Sequence, residues 1–226
     1  MKKSIRIVLI VMGSFFYLQS NAQSVALKAG FNLSNMLEKD DEDTYSDDFE
    51  MLPGFHAGLS VDVPFNDALS FEPGIMFTTK GMKYSDTFMG ASVEAKASLY
   101  YIDIPLTLKA SAELADGVKL FGVAGPYLGL GISGKMKATA EYMGEEETEE
   151  EDIEWGSDED EDDLKRLEMG ATFGAGLEFG SFLIGANYDL GLSNISSYQD
   201  GGATSKNRVL RSEERRVGKE CRSRRS

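Results

Sequence analysis

The residues with the clearest capacity for chemistry are carboxylates, and they fall into two groups. The first is a pair of runs: Glu38 to Glu50 holds 8 acids and Glu141 to Asp163 holds 15. Clustered carboxylates are oxygen ligands for hard divalent cations. Asp158, Glu159, Asp160, Glu161 and Asp162 are therefore weak cation contacts by composition. Neither run has the spaced acids and central glycine of a helix–loop–helix calcium site, and like-charge runs are ordinarily solvated. No dedicated metal site is expected. The second group sits singly among apolar residues and mixes both signs: Lys28, Asp62, Glu72, Asp103, Lys109, Lys119, Glu168, Glu178 and Asp189.

Two further constellations are candidates for catalysis or cofactor binding. His56 is the only histidine and shares a face with Asp62, and a His–carboxylate pair can act as a general base. Six residues of strand, however, span about 20 Å, so only Glu72 or Asp103 from neighbouring segments could reach it. With no nucleophile defined, a hydrogen-bonded interior histidine is expected. Gly129-Leu130-Gly131-Ile132-Ser133-Gly134 fits G-x-G-x-x-G literally, but a dinucleotide site needs a helix next, whose N-terminus holds the pyrophosphate. An acidic run follows instead. No catalytic residue and no cofactor is assigned, and the chain is not read as an enzyme.

The elements that must position these charges repeat with period two, the mark of half-buried strands. Val25, Leu27, Ala29, Phe31 and Leu33 oppose Lys28, Gly30 and Asn32; Phe55 to Val63 oppose His56, Gly58, Ser60 and Asp62. Leu69, Phe71, Ile75 and Phe77 oppose Ser70, Glu72, Gly74 and Thr78; Tyr100 to Leu108 oppose Asp103, Thr107 and Lys109. Leu120, Leu128, Leu130 and Ile132 oppose Lys119, Gly125, Gly129 and Gly131. Met169 to Phe179 oppose Glu168, Thr172 and Glu178; Phe182 to Leu192 oppose Asn187 and Asp189. Asn207 to Leu210 opens an eighth strand. Connections are short at Pro64–Ala68, Glu113–Gly117 and Gly180–Ser181, and long at Ser34–Pro53, Lys80–Ser98, Gly134–Arg166 and Ile195–Lys206. Short turns on one side, long loops on the other and strands polar inside are the pattern of an outer-membrane barrel. The expected fold is therefore all-β: an eight-stranded antiparallel transmembrane β-barrel with long acidic extracellular loops and short periplasmic turns.

The chain ends qualify its totals. The 226 residues carry 23 Lys and Arg against 38 Asp and Glu, a net charge of −15. That excludes a nucleic-acid binder, which needs cations to neutralise phosphates. One cysteine excludes a disulfide scaffold. Lys2, Lys3 and Arg6, the apolar run Ile7–Leu18 and the small-residue site at Ala22 make residues 1–22 a signal peptide. Arg211–Ser226, RSEERRVGKECRSRRS, is a basic stretch that resembles a translated sequencing-library adapter. On that reading 211–226 is a non-native tail, Cys221 is no protein feature, and the eighth strand is truncated near Leu210. The barrel domain is then 23–210, with 13 cations against 35 acids and a net charge of −22.

Eight strands enclose only enough space for side chains to fill, and mixed charges there must pair, because lone buried charges are costly. A plugged, non-conducting lumen is expected. The segments GFNLSN (Gly30–Asn35), GFHAGLSVDVP (Gly54–Pro64), PGIMFTTKG (Pro73–Gly81), YYIDIPLTLK (Tyr100–Lys109), GPYLGLGISGK (Gly125–Lys135) and NYDLGLSNI (Asn187–Ile195) resemble the PorT-like outer-membrane β-barrel family. That resemblance implies an eight-stranded barrel in an outer membrane, with outer-membrane lipid and the barrel-assembly machinery as partners, and no catalytic residues to carry over. A structural, surface-interaction or assembly-accessory role follows. The alternatives are a secreted soluble barrel with an apolar lining for a ligand, and a narrow diffusion pore.

Overall fold

The computed structural model describes residues 24–40, 49–88, 91–143, 145–156, 158, 162–198 and 202–217. Residues 1–22, expected to be a signal peptide, Cys221, and Glu159, Asp160 and Glu161 lie outside them. Ten strands form one antiparallel sheet: β1 (Ser24–Lys39), β2 (Phe49–Glu50), β3 (Leu52–Pro64), β4 (Leu69–Phe88), β5 (Ala91–Ala115), β6 (Val118–Tyr142), β7 (Glu145–Asp152), β8 (Leu167–Phe179), β9 (Phe182–Gly191) and β10 (Thr204–Val217). Eight of them make the wall. Each pairs with its successor, from β1–β3 through β4–β5 and β6–β8 to β9–β10, and β10 returns to β1. The ring therefore closes, which removes the unpaired edges that hydrocarbon would not tolerate.

The parity read from the sequence holds on the first seven wall strands. Leu27, Phe31, Phe55, Leu59, Ile75, Ile104, Leu128, Phe173 and Ile184 are exposed on the outside. Lys28, His56, Asp62, Glu72, Asp103, Lys109, Glu168 and Asp189 are buried inside. An apolar exterior around a charged interior is the arrangement for lipid outside, and the reverse of a soluble carrier with an apolar cavity. On that exterior an aromatic ladder crosses three strands: the rings of Phe55 and Phe77 lie 5.7 Å apart, and those of Phe77 and Tyr100 lie 6.0 Å apart. Aromatic girdles mark the membrane interface of such barrels.

Two expectations are corrected. The segments read as long loops at Lys80–Ser98 and at the start of Gly134–Arg166 are strands: β4 and β5 pair without a break from Met76↔Asp103 to Phe88↔Ala91, and β6 pairs β7 from Lys135↔Asp152 to Tyr142↔Glu145. They carry no continuous apolar face, since above the aromatic ladder only scattered residues such as Met82, Ala97 and Met136 meet an apolar surface inside, so hydrophobic alternation is lost while the ladder hydrogen bonds continue. The eighth wall strand is also not cut off at Leu210. β10 runs to Val217, with Arg211, Glu213 and Arg215 buried inward. Its outward face departs from the other strands, since Ser212, Glu214 and Arg216 stand exposed between Ala186, Ile184 and Phe182 of β9 and the apolar stripe of β1.

Candidate functional site: the lumen and its mouth

The lumen is filled in tiers. Nearest the short turns, Asp62 (β3), Glu72 (β4), Lys109 (β5), Lys28 (β1), and Glu213 and Arg215 (β10) interlock. Lys28 pairs with Glu72 and lies 3.0 Å from Glu213; Arg215 pairs with Glu72 and lies 3.2 Å from Asp62. Lys109 bonds Asp62 and reaches Glu178 at 3.7 Å. Lys119, expected in this network, stands exposed at the rim, in register with Glu178 and Glu113, because it is the second residue of β6 and its side chain opens to the turn side. In the middle tier Arg211 bonds Asp189 at 2.9 Å, and Asp189 accepts from the Thr172 hydroxyl at 2.7 Å. The His56 ring Nδ1 lies 2.7 Å from Asn32 Oδ1, while the Asn32 amide donates to Thr78 Oγ1 at 3.0 Å. His56 thus partners an amide, as the interior reading expects.

The upper tier centres on Lys80, a residue the sequence reading left in a loop. Its ammonium lies 3.1 Å from Asp103 and 3.0 Å from Glu168. Glu168 also accepts from Tyr127 OH at 2.6 Å and from Asn207 Nδ2 at 3.0 Å. The same ammonium sits 4.5 Å from the Tyr101 ring centroid and 4.7 Å from that of Tyr127, an aromatic pair well placed for cation–π attraction. Lys80, Asp103, Glu168, Tyr101 and Tyr127 are each at most 2% exposed. The signal that identifies Lys80 is parity alone: it follows Thr78 on the inward face. Tyr127 fits because Gly170 faces it, where an added Cβ would lie 2.4 Å from the ring.

Above this tier the acidic run folds inward. Met36, Leu99, Tyr101, Ile153 and Ile195 form an apolar cluster, packed against Met82, Trp155 and Leu164. Trp155 stacks edge-on against Tyr101 at 5.6 Å and bridges to Leu164. The glycine motif serves this cap. A Cβ at Gly131 would lie 2.3 Å from the Trp155 ring, so the bare backbone is what admits the indole. No helix follows Gly134; the strand continues to Tyr142. Beside the cap lies a cavity of about 390 Å³, lined by Met36, Met82, Met136, Ile153, Leu164 and Tyr198 and by Glu38, Glu151, Asp152, Asp162 and Asp163. Asp158 and Asp162 close a turn, with the Asp158 amide donating to Asp162 Oδ2 at 2.9 Å. Among the described residues no three His, Cys, Asp or Glu side chains come together as a metal site.

Comparison with known proteins agrees with this architecture. The family described as outer membrane protein beta-barrel domain matches residues 19–197. No curated protein matches the chain. Among solved structures, the chain is similar to Ail of Yersinia pestis in complex with sucrose octasulfate, at 16% identity over 86% of this chain and 99% of that one, with a TM-score of 0.35. It is similar also to Neisserial surface protein A, at 13% identity over 87% and 99% with a TM-score of 0.41. The COG4313 outer membrane channel of Pseudomonas putida F1 stands at 13% over 88% and 97%, with a TM-score of 0.31. The weight rests on the family match, which spans most of the chain together with the closed ring and apolar exterior: the chain is an outer-membrane protein and belongs to the outer membrane protein beta-barrel domain family.

Proposed function

We propose that the chain is a closed outer-membrane barrel that presents its acidic hairpins as a surface platform, with no through-pore and no catalytic centre. The observation that carries this reading is the upper lumen tier. Lys80, Asp103, Glu168, Tyr101, Tyr127 and Asn207 are buried and linked at contact distance across the lumen, under an apolar cap. None of these residues lies beyond Leu210. Buried charges so paired resist hydration, because breaking one partner strands the other. Against a catalytic reading, His56 partners Asn32, an amide with no basic or nucleophilic chemistry. The tests are liposome swelling with small sugars and hydrolase assays on the refolded protein. Swelling no faster than that of empty vesicles, with no hydrolysis, supports the reading; sugar-dependent swelling overturns it.

Within the family, the segments from Gly30–Asn35 to Asn187–Ile195 support a PorT-like branch. The same reading keeps 1–22 as a cleaved signal peptide and 211–226 as an adapter-derived tail. The latter is supported by the polar outward side chains of Ser212, Glu214 and Arg216, which suit lipid poorly. The uninterrupted genomic reading frame past Leu210 tests it: a frame encoding apolar residues at alternate outward positions supports the tail reading, and one encoding RSEERR overturns it.

A further inference from the structure

The cavity at the mouth has a composition that selects a ligand. Its inner lining is apolar and adaptable, built from Met36 and Met82 with Ile153 and Leu164 of the inward-folded run, and the exposed Met136 stands at its edge. Methionine fills irregular space and adapts to varied apolar partners. Its lining holds five carboxylates, and among the described residues that line it none is lysine or arginine. Glu38 is the carboxylate set deepest: burial pushes its carboxyl up, although the Ser205 hydroxyl donates to it at 3.3 Å. The volume, about 390 Å³, lies in the range of small-molecule sites. An anion would meet five like charges, and a bare hydrated metal ion would leave the apolar lining uncovered. What satisfies both halves is a cation carrying hydrocarbon.

We propose that this cavity binds a small organic ammonium ion, with its alkyl body on the methionine lining and its charge among Glu38, Glu151 and Asp152. The proposal does not depend on whether the lumen conducts, and it uses no residue beyond Ser205. Trp155 is the only tryptophan of the chain and packs against Leu164, so its emission reports on the site.

The experiment titrates the refolded full chain in non-ionic detergent with hexyltrimethylammonium, with hexanesulfonate and hexanol as charge controls. The expected result is a saturable change in Trp155 emission with the ammonium alone. Glu38→Gln with Glu151→Gln and Asp152→Asn should weaken it about tenfold, since three lining charges are removed without loss of volume. Met136→Lys, at a side chain 46% exposed and therefore tolerant of the change, places an internal ammonium at the cavity and should abolish the response. Heat-modifiable migration on a gel establishes that each variant is folded, and either folded variant suffices. Equal responses to all three probes would show simple partition into the apolar cap, and unchanged titration in a folded variant would show binding elsewhere; either result overturns the proposal.

Discussion

At the residue scale, the molecule depends on charges that have no water to fall back on. Lys80 is the clearest case, because two carboxylates, Asp103 and Glu168, converge on one ammonium at 1% exposure. Lys80→Met keeps the side-chain length but leaves both carboxylates uncompensated, so it should destabilise the barrel by about 3–5 kcal/mol. Urea unfolding in lipid vesicles measures this, and a change below about 1 kcal/mol would contradict the account. Above the aromatic ladder the ion pairs are of another kind. Lys83 lies 2.9 Å and Lys96 2.6 Å from the partly exposed Glu94, and their bonds hold its carboxyl at about 2 rather than 4.5. Because the folded value is depressed, the contribution of Glu94 is present above 4.5 and is lost as pH falls through about 2. Carboxyl-carbon NMR should find that midpoint, and Lys83→Ala should raise it toward the ordinary value. Nearly all of the expected lumen residues are inward, because parity is a strict period-two property. Lys119 is the exception, since parity cannot say how near a strand end lies to the rim. Lys80 escaped because it falls where the apolar alternation fades.

At the element scale, alternation finds a strand only where one face meets lipid. β3, β8 and β9 were legible nearly end to end for that reason, whereas β1 runs on to Lys39 through residues 34–39 that were expected in a long loop. The upper halves of β4, β5 and β6 and all of β7 were not legible: Ser85, Asp86 and Thr87 and the eight residues Glu145–Asp152 stand exposed, and only scattered residues such as Met82, Ala97 and Met136 meet the cap inside. Seven carboxylates in β7 favour a disordered reading from composition. The ladder to β6 and the pairing of Glu150 with Lys135 hold the strand in place instead. Composition also hid the cap, since Ile153, Trp155 and Leu164 are three apolar residues scattered among acids. β10 is the element least suited to its surroundings. Glu214 lies opposite Ile184 and Ala29 on the lipid side of the wall. Glu214→Leu should therefore raise stability in vesicles by about 1–2 kcal/mol, as removal of a lipid-facing charge does. A destabilisation would show that this face is covered by something other than lipid.

At the scale of the whole molecule, the charge and the fold are separate matters. The two acidic runs, with 8 and 15 carboxylates, hold most of the chain's acids, and their described members stand at or above the barrel mouth, whereas the lumen mixes both signs and neutralises itself. The wall tells the membrane where to be; on the proposed reading the hairpins carry the surface and the lumen closes the path between them. That closure is the central claim, and single-channel recording in planar bilayers tests it most directly. The intact protein should insert and show no unitary current steps, while a Lys80→Gly, Asp103→Gly, Glu168→Gly variant, with the upper tier emptied, should show them. Resolved, reproducible steps from the intact protein, unchanged in the emptied variant, would contradict it.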